Sequence, residues 1–139
     1  MASTTFSGPV TSTNGFIGAV TGNITGNVTG NLTGNAYVSA ATVAAAGTTQ
    51  TNAAALTVGF TNVTGSDGTK GVRLPAATAG AIAYIRNSVA QPLKVYPASG
   101  DKINGGTADA AVIMENSTTM IVIALDATDW FTLVFTADS

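Results

Sequence analysis

The chain has 139 residues, a net charge of -2 from five Lys plus Arg against seven Asp plus Glu, and 9% charged residues in all, where soluble domains typically carry about 25%. It contains no Cys and no His, which removes disulfides, the commonest metal ligand and the ordinary nucleophile–base pairs of hydrolytic enzymes. With too few cations to neutralise a phosphate backbone, the composition predicts a non-enzymatic protein with no cofactor, no metal and no nucleic-acid partner, stabilised by burial against other chains.

Residues 1–16, MASTTFSGPVTSTNGF, lack a basic region followed by an apolar core, so no secretory signal is expected. The long uncharged stretch that follows is interrupted throughout by Gly, Asn and Thr and does not read as a membrane span. A soluble protein made in a cytoplasm is the expectation.

Residues 20–36, VTGNITGNVTGNLTGNA, repeat one four-residue phrase. A helix is disfavoured, because each internal Gly costs about 1 kcal/mol against Ala. At a period of two, Val20, Gly22, Ile24, Gly26, Val28, Gly30, Leu32 and Gly34 share one face and Thr and Asn fill the other. The apolar face thus alternates a branched side chain with none. Gly permits close approach of another backbone, so the deleted volume suits side chains of neighbouring copies. The pattern predicts an intertwined homotrimeric stalk over residues 1–36, with Phe16, Val20, Ile24, Val28 and Leu32 as contacts and Gly22, Gly26 and Gly30 as points of close approach. A low-complexity linker is the competing reading. The Asn-X-Thr triplets at Asn23, Asn27, Asn31 and Asn62 and the Asn-Ser-Thr at Asn116 match glycosylation acceptors, but without a secretory signal they are expected to be coincidental.

Residues 37–55 form an Ala-rich connector. Ser39 to Ala46 suits either a short helix or an extended segment packed on a neighbouring subunit. From Leu56 onward, apolar runs recur about every ten residues between turn signals, a pattern of all-β domains. Strands are predicted over 56–63, 71–74, 81–87, 93–96, 111–115, 120–125 and 130–135. The breaks fall at Ser66-Asp67-Gly68, Asn87-Ser88, Ser99-Gly100-Asp101, Asn104-Gly105-Gly106, Asn116-Ser117 and Asp126 to Asp129. Alternation predicts inward rows of Val112 and Met114, of Ile121 and Ile123, and of Phe131, Leu133 and Phe135. The run 120–125 is apolar on both faces and predicts a central strand or a subunit contact. The fold class expected is therefore all-β, with residues 56–139 as a small β-sandwich or jelly-roll-like knob behind the stalk.

Three segments then carry a family likeness: GVRLPAATAGAIAYIRN (71–87), PLKVYPASGDKING (92–105) and DATDWFTLVF (126–135). Their ordered elements, Gly71 to Pro75, Val95 to Asp101, Ile103 to Gly105 and Trp130, resemble a module of tailed-bacteriophage head-fibre, decoration and tail-fibre proteins. The opening, FSGPV (6–10) and STNGF (12–16), is similar to the start of repetitive regions in related phage proteins. The resemblance implies a homotrimeric, mostly β virion component without catalytic chemistry. Since 139 residues is short for a tail fibre, the expectation is a capsid decoration or cement protein on the virion surface. Its partners would be copies of itself and the major capsid protein. The alternative is a short tail-fibre adhesin that recognises host surface glycans.

Single residues fit that expectation. Asp101 and Asp109 are the acids that would make a glycan-cleaving pair, but their turn context favours backbone hydrogen bonding. Asp126 with Asp129 lacks the ligand spacing of a calcium loop. The segment GSDGTKG (65–71) does not match a phosphate loop. Trp130 is expected in the core rather than as a sugar-stacking platform, and Tyr84 and Tyr96 in core or interface. Lys70, Arg73, Arg86, Lys94 and Lys102 are too scattered for nucleic acid.

Overall fold

The computed structural model describes residues 38–135, within the unit Asn35–Ser139. These residues form ten strands and no helix: β1 (Ala40–Ala44), β2 (Ala54–Ala55), β3 (Gly59–Thr64), β4 (Gly71–Arg73), β5 (Ile82–Asn87), β6 (Leu93–Tyr96), β7 (Lys102–Ile103), β8 (Val112–Met114), β9 (Thr119–Ala124) and β10 (Asp129–Phe135). All seven predicted strands are present within a few residues of their expected bounds. The predicted stalk, residues 1–36, lies outside the described residues.

The chain steps back and forth between two sheets, in the orders β1-β3-β5-β9-β10-β7 and β2-β4-β6-β8. The pairs β1·β3, β3·β5, β2·β4 and β4·β6 are parallel. Ala40 opposes Phe60 and Gly59 opposes Ala83, so successive coils advance by roughly 20 to 24 residues, the range of stacked repeats. This is a β-solenoid-like stack, and it corrects the sandwich or jelly-roll expectation. Those folds are antiparallel meanders and Greek keys. Here the antiparallel strand pairs are β5·β9, β9·β10 and β6·β8, with one isolated antiparallel bridge between Ala46 and Gly71.

The Ala-rich segment expected to bridge stalk and knob supplies part of the first coil instead. Ala40–Ala44 is a strand rather than a helix, paired in parallel with β3, because backbone pairing outweighs the weak helix preference of so short a run. Between coils the chain turns on Gly. Gly59 has φ 109, and a Cβ there would meet Ser39, whose carbonyl accepts the Phe60 N–H at 2.8 Å. No other residue type fits both the conformation and the space.

The core lies between the two sheets. Val63, Ile85, Met120, Val122 and Trp130 point in from the six-stranded sheet, and Val72, Leu93, Val95 and Met114 from the four-stranded sheet, all essentially inaccessible. Each contributes about 1.5–3 kcal/mol by leaving water. Trp130 is the largest, and its Nε1–H is buried without an acceptor. Asn87, also fully buried, is a polar clasp: its Nδ2 donates to the carbonyls of Gln91 (2.8 Å) and Glu115 (3.1 Å) and its Oδ1 accepts from Val89 N–H (3.3 Å). It ties the end of β5 to the approach to β6 and to the β8–β9 turn.

Two measurements check this core. Trp130→Ala should lower unfolding stability by about 3–5 kcal/mol in urea titration, and Trp130→Phe by less, because Phe leaves no orphaned donor. Asn87→Ala should cost about 2–4 kcal/mol by stranding two carbonyls. Loss of under ~0.5 kcal/mol in either Ala variant would contradict the packing described.

Candidate assembly surface

The eight residues predicted as assembly contacts, Phe16, Val20, Gly22, Ile24, Gly26, Val28, Gly30 and Leu32, lie outside the described residues. Asp67, Asp101, Asp109, Asp126 and Asp129 lie inside them, and each of these five carboxylates has a local task. Asp101 is buried and its Oδ2 accepts the Ala77 N–H at 2.8 Å, joining the loop after β4 to the turn before β7. Asp109 Oδ1 accepts the Gly100 N–H at 2.8 Å. The two carboxyls therefore brace neighbouring turns. Asp129 accepts Gly105 N–H at 3.1 Å and meets Lys102 at 3.7 Å. Among the described residues no three acids gather in a metal-binding group.

Asp67 and Asp126 are one device used twice, an Asp-X-Thr turn that launches a strand. Asp67 Oδ1 accepts the Thr69 hydroxyl at 2.6 Å, Thr69 N–H at 3.0 Å and Lys70 N–H at 3.2 Å, just before β4. Asp126 Oδ1 accepts Thr128 N–H at 2.7 Å, the Thr128 hydroxyl at 2.9 Å and Asp129 N–H at 2.9 Å, leading into β10. Hydrogen bonds to the ionised form, from the Thr69 hydroxyl first at Asp67 and from Thr128 N–H first at Asp126, hold both carboxyls below the ordinary carboxylate value.

The cations are spread over the molecule. Lys70 pairs with Asp67 at 3.3 Å, and Arg73 donates to the carbonyls of Gln50 and Thr51 at 3.4 and 3.3 Å. Arg86 and Lys94 lie on strands of different sheets. Trp130 is in the core, as expected, and Tyr96 is buried with its hydroxyl donating to Thr48 carbonyl at 2.8 Å.

The outer faces of the two sheets differ. The four-stranded sheet presents Arg73 and Lys94, and the 48–51 segment is bonded to Tyr96 and Arg73 beside it. The six-stranded sheet presents apolar rows fixed by register. One row runs Ala40, Phe60, Tyr84, Ile121, Leu133, and the next runs Ile82, Ile123, Phe131. A third, polar until its end, runs Thr42, Asn62, Arg86, Thr119, Phe135. Beyond Ile82 the apolar surface continues into a shallow depression of about 230 Å3 that also takes in Val38 and Val58.

The expected inward placement of Ile121, Ile123, Phe131, Leu133 and Phe135 is thereby corrected. Their neighbours Met120, Val122, Ala124 and Trp130 face the core, and strand alternation sends the first set outward. Phe131, Leu133 and Phe135 are 43%, 42% and 53% exposed. Sequence reasoning named these side chains and missed their direction. The double-sided apolar character of 120–125 was the available signal, and the structure places β9 centrally, between β5 and β10.

No protein-family model matches the chain, and no curated protein matches it either. No helix among the described residues is long and apolar enough to cross a membrane.

The two Asp turns predict a pH response. Each carboxyl titrates lower when folded than at its unfolded value of 3.8, so its stabilisation is complete above about pH 5 and is lost as pH falls through the folded value. An Asp67→Asn, Asp126→Asn double variant should be less stable at neutral pH and show a flatter decline in stability below pH 5. The check is chemical unfolding across a pH series; an unchanged slope contradicts the assignment.

Proposed function

We propose that the protein is a structural virion component: a homotrimeric decoration or cement protein that lies on the head of a tailed bacteriophage and stabilises it by binding the major capsid protein. The observation that carries this reading is the apolar outer face of the six-stranded sheet. Contiguous apolar surface of that extent on a small soluble protein marks a place where protein is to be buried. The sparse charge of the whole chain agrees with a subunit adapted to burial against other chains, and five of the acids, Asp67, Asp101, Asp109, Asp126 and Asp129, are engaged in bracing turns. The resemblance carried by Gly71 to Pro75, Val95 to Asp101, Ile103 to Gly105 and Trp130 adds the phage setting.

The glycan-binding adhesin is the weaker reading on one structural ground. Trp130, the natural stacking platform for a sugar, is 0% exposed.

Electron microscopy of intact particles carrying the labelled protein tests the proposal. Label distributed over the icosahedral shell is expected. Label confined to the tail overturns the decoration role.

A further inference from the structure

We propose that the Asn104-Gly105 pair is a latent deamidation site, held unreactive by the turn that contains it and by Thr132 and Asp129 of β10. It is the one Asn-Gly pair within the described residues, and Asn104 is exposed to the water that the reaction consumes.

In this reaction the Gly105 nitrogen gives up its proton to solvent and bonds to Cγ of Asn104. The Cγ–Nδ2 bond breaks, and Nδ2 takes up a proton and leaves as ammonia. Water then opens the five-membered succinimide at either carbonyl, leaving aspartate or isoaspartate at position 104. An Asn-Gly pair is open to this chemistry because Gly carries no side chain to obstruct ring closure.

The turn sets the ring-forming atoms apart. Asn104 and Gly105 have φ of 55 and 65, and the Gly106 N–H returns to the Ile103 carbonyl at 3.0 Å, the pattern of a type I′ turn. The first central residue of such a turn has ψ of about +30°, which places Cβ nearly opposite the following nitrogen across the Cα–C bond. Ring closure needs the two nearly eclipsed. The chain must swing through more than a right angle at that bond before Cγ and the nitrogen can meet.

Both reacting groups are also tied to β10. The Asn104 amide is engaged at each end: Oδ1 accepts the Thr132 N–H at 2.9 Å and Nδ2 donates to the Thr132 hydroxyl at 2.8 Å. The Gly105 N–H donates to Asp129 Oδ1 at 3.1 Å, and an amide anion forming beside that carboxylate is opposed by like charge. Reaction therefore waits on detachment of β7, a two-residue strand at the edge of its sheet. Isoaspartate then makes the opening permanent, since it lengthens the main chain by one carbon inside the turn.

The test holds full-length protein at mildly alkaline pH, folded or in urea, and follows the peptide carrying position 104 by mass spectrometry, with isoaspartate separated chromatographically. Conversion in folded wild type is expected at least ~100-fold slower than in urea, the scale set by misplacing a reacting pair. Asp129→Ala and Thr132→Val should each speed it at least ~10-fold in the folded protein and leave the rate in urea unchanged. Asn87, fully buried and followed by Ser88, should stay intact throughout and marks global folding. Folded wild type converting as fast as in urea overturns the proposal, and so does a failure of both variants to accelerate the reaction. Slower conversion in Asp129→Ala overturns it by making that carboxylate the base for the attack. Conversion of Asn87 in step with Asn104 overturns it by assigning the protection to the whole fold.

Discussion

Side-chain alternation across the six-stranded sheet is the constraint on which the rest of the structure depends. The parallel register of β1, β3 and β5, continued antiparallel through β9 and β10, sends Val63, Ile85, Met120, Val122 and Trp130 to one side. The same register commits Phe60, Tyr84, Ile121, Leu133 and Phe131 to the other. A slip of one residue in any strand would exchange the two sets. Both sets are apolar, so hydrophobicity alone does not say which belongs inside. The decision comes from the second sheet: Val72, Leu93, Val95 and Met114 lie opposite the first set and bury it, and nothing within the described residues lies opposite the second.

That asymmetry explains what was legible in the sequence. The seven strands expected from Leu56 onward were readable because alternation and turn residues agree there: Gly100, Asn104, Gly105, Ser117 and Asp126 all fall between strands, several with the positive φ that such residues tolerate. Strands β1, β2 and β7 were not, being Ala-rich or two residues long and held mainly by backbone pairing. Parallel stacking was hidden for another reason. The coils differ in length and share no repeated motif, so no fixed period announces them. The inward direction wrongly expected for Phe131, Leu133 and Phe135 follows from the same ambiguity, since an apolar row is the signature of burial without saying whether the subunit or a neighbour provides it. Roles for the acids were legible because turn chemistry is local: Asp67 and Asp126 bond to residues two and three ahead of them.

The function proposed follows from the division of surfaces. A stack of parallel coils gives a stiff frame in which each coil is supported by the next. The frame holds a mixed sheet face, where Arg73, Lys94 and the exposed Ile113 lie, apart from a more uniformly apolar one, where Leu133 and Phe131 lie. In the decoration role proposed, the apolar face would be the one buried against protein, with the other surfaces left free.

Hydroxyl-radical footprinting of the full-length protein at assembling concentration tests the central claim most directly, because it reads the face itself. Ile82, Phe131 and Leu133, 40% to 43% exposed in the single chain, should be protected from labelling while Ile113 is labelled freely. Labelling of Phe131 and Leu133 as fast as Ile113 would contradict the claim that this face is buried in the assembled protein.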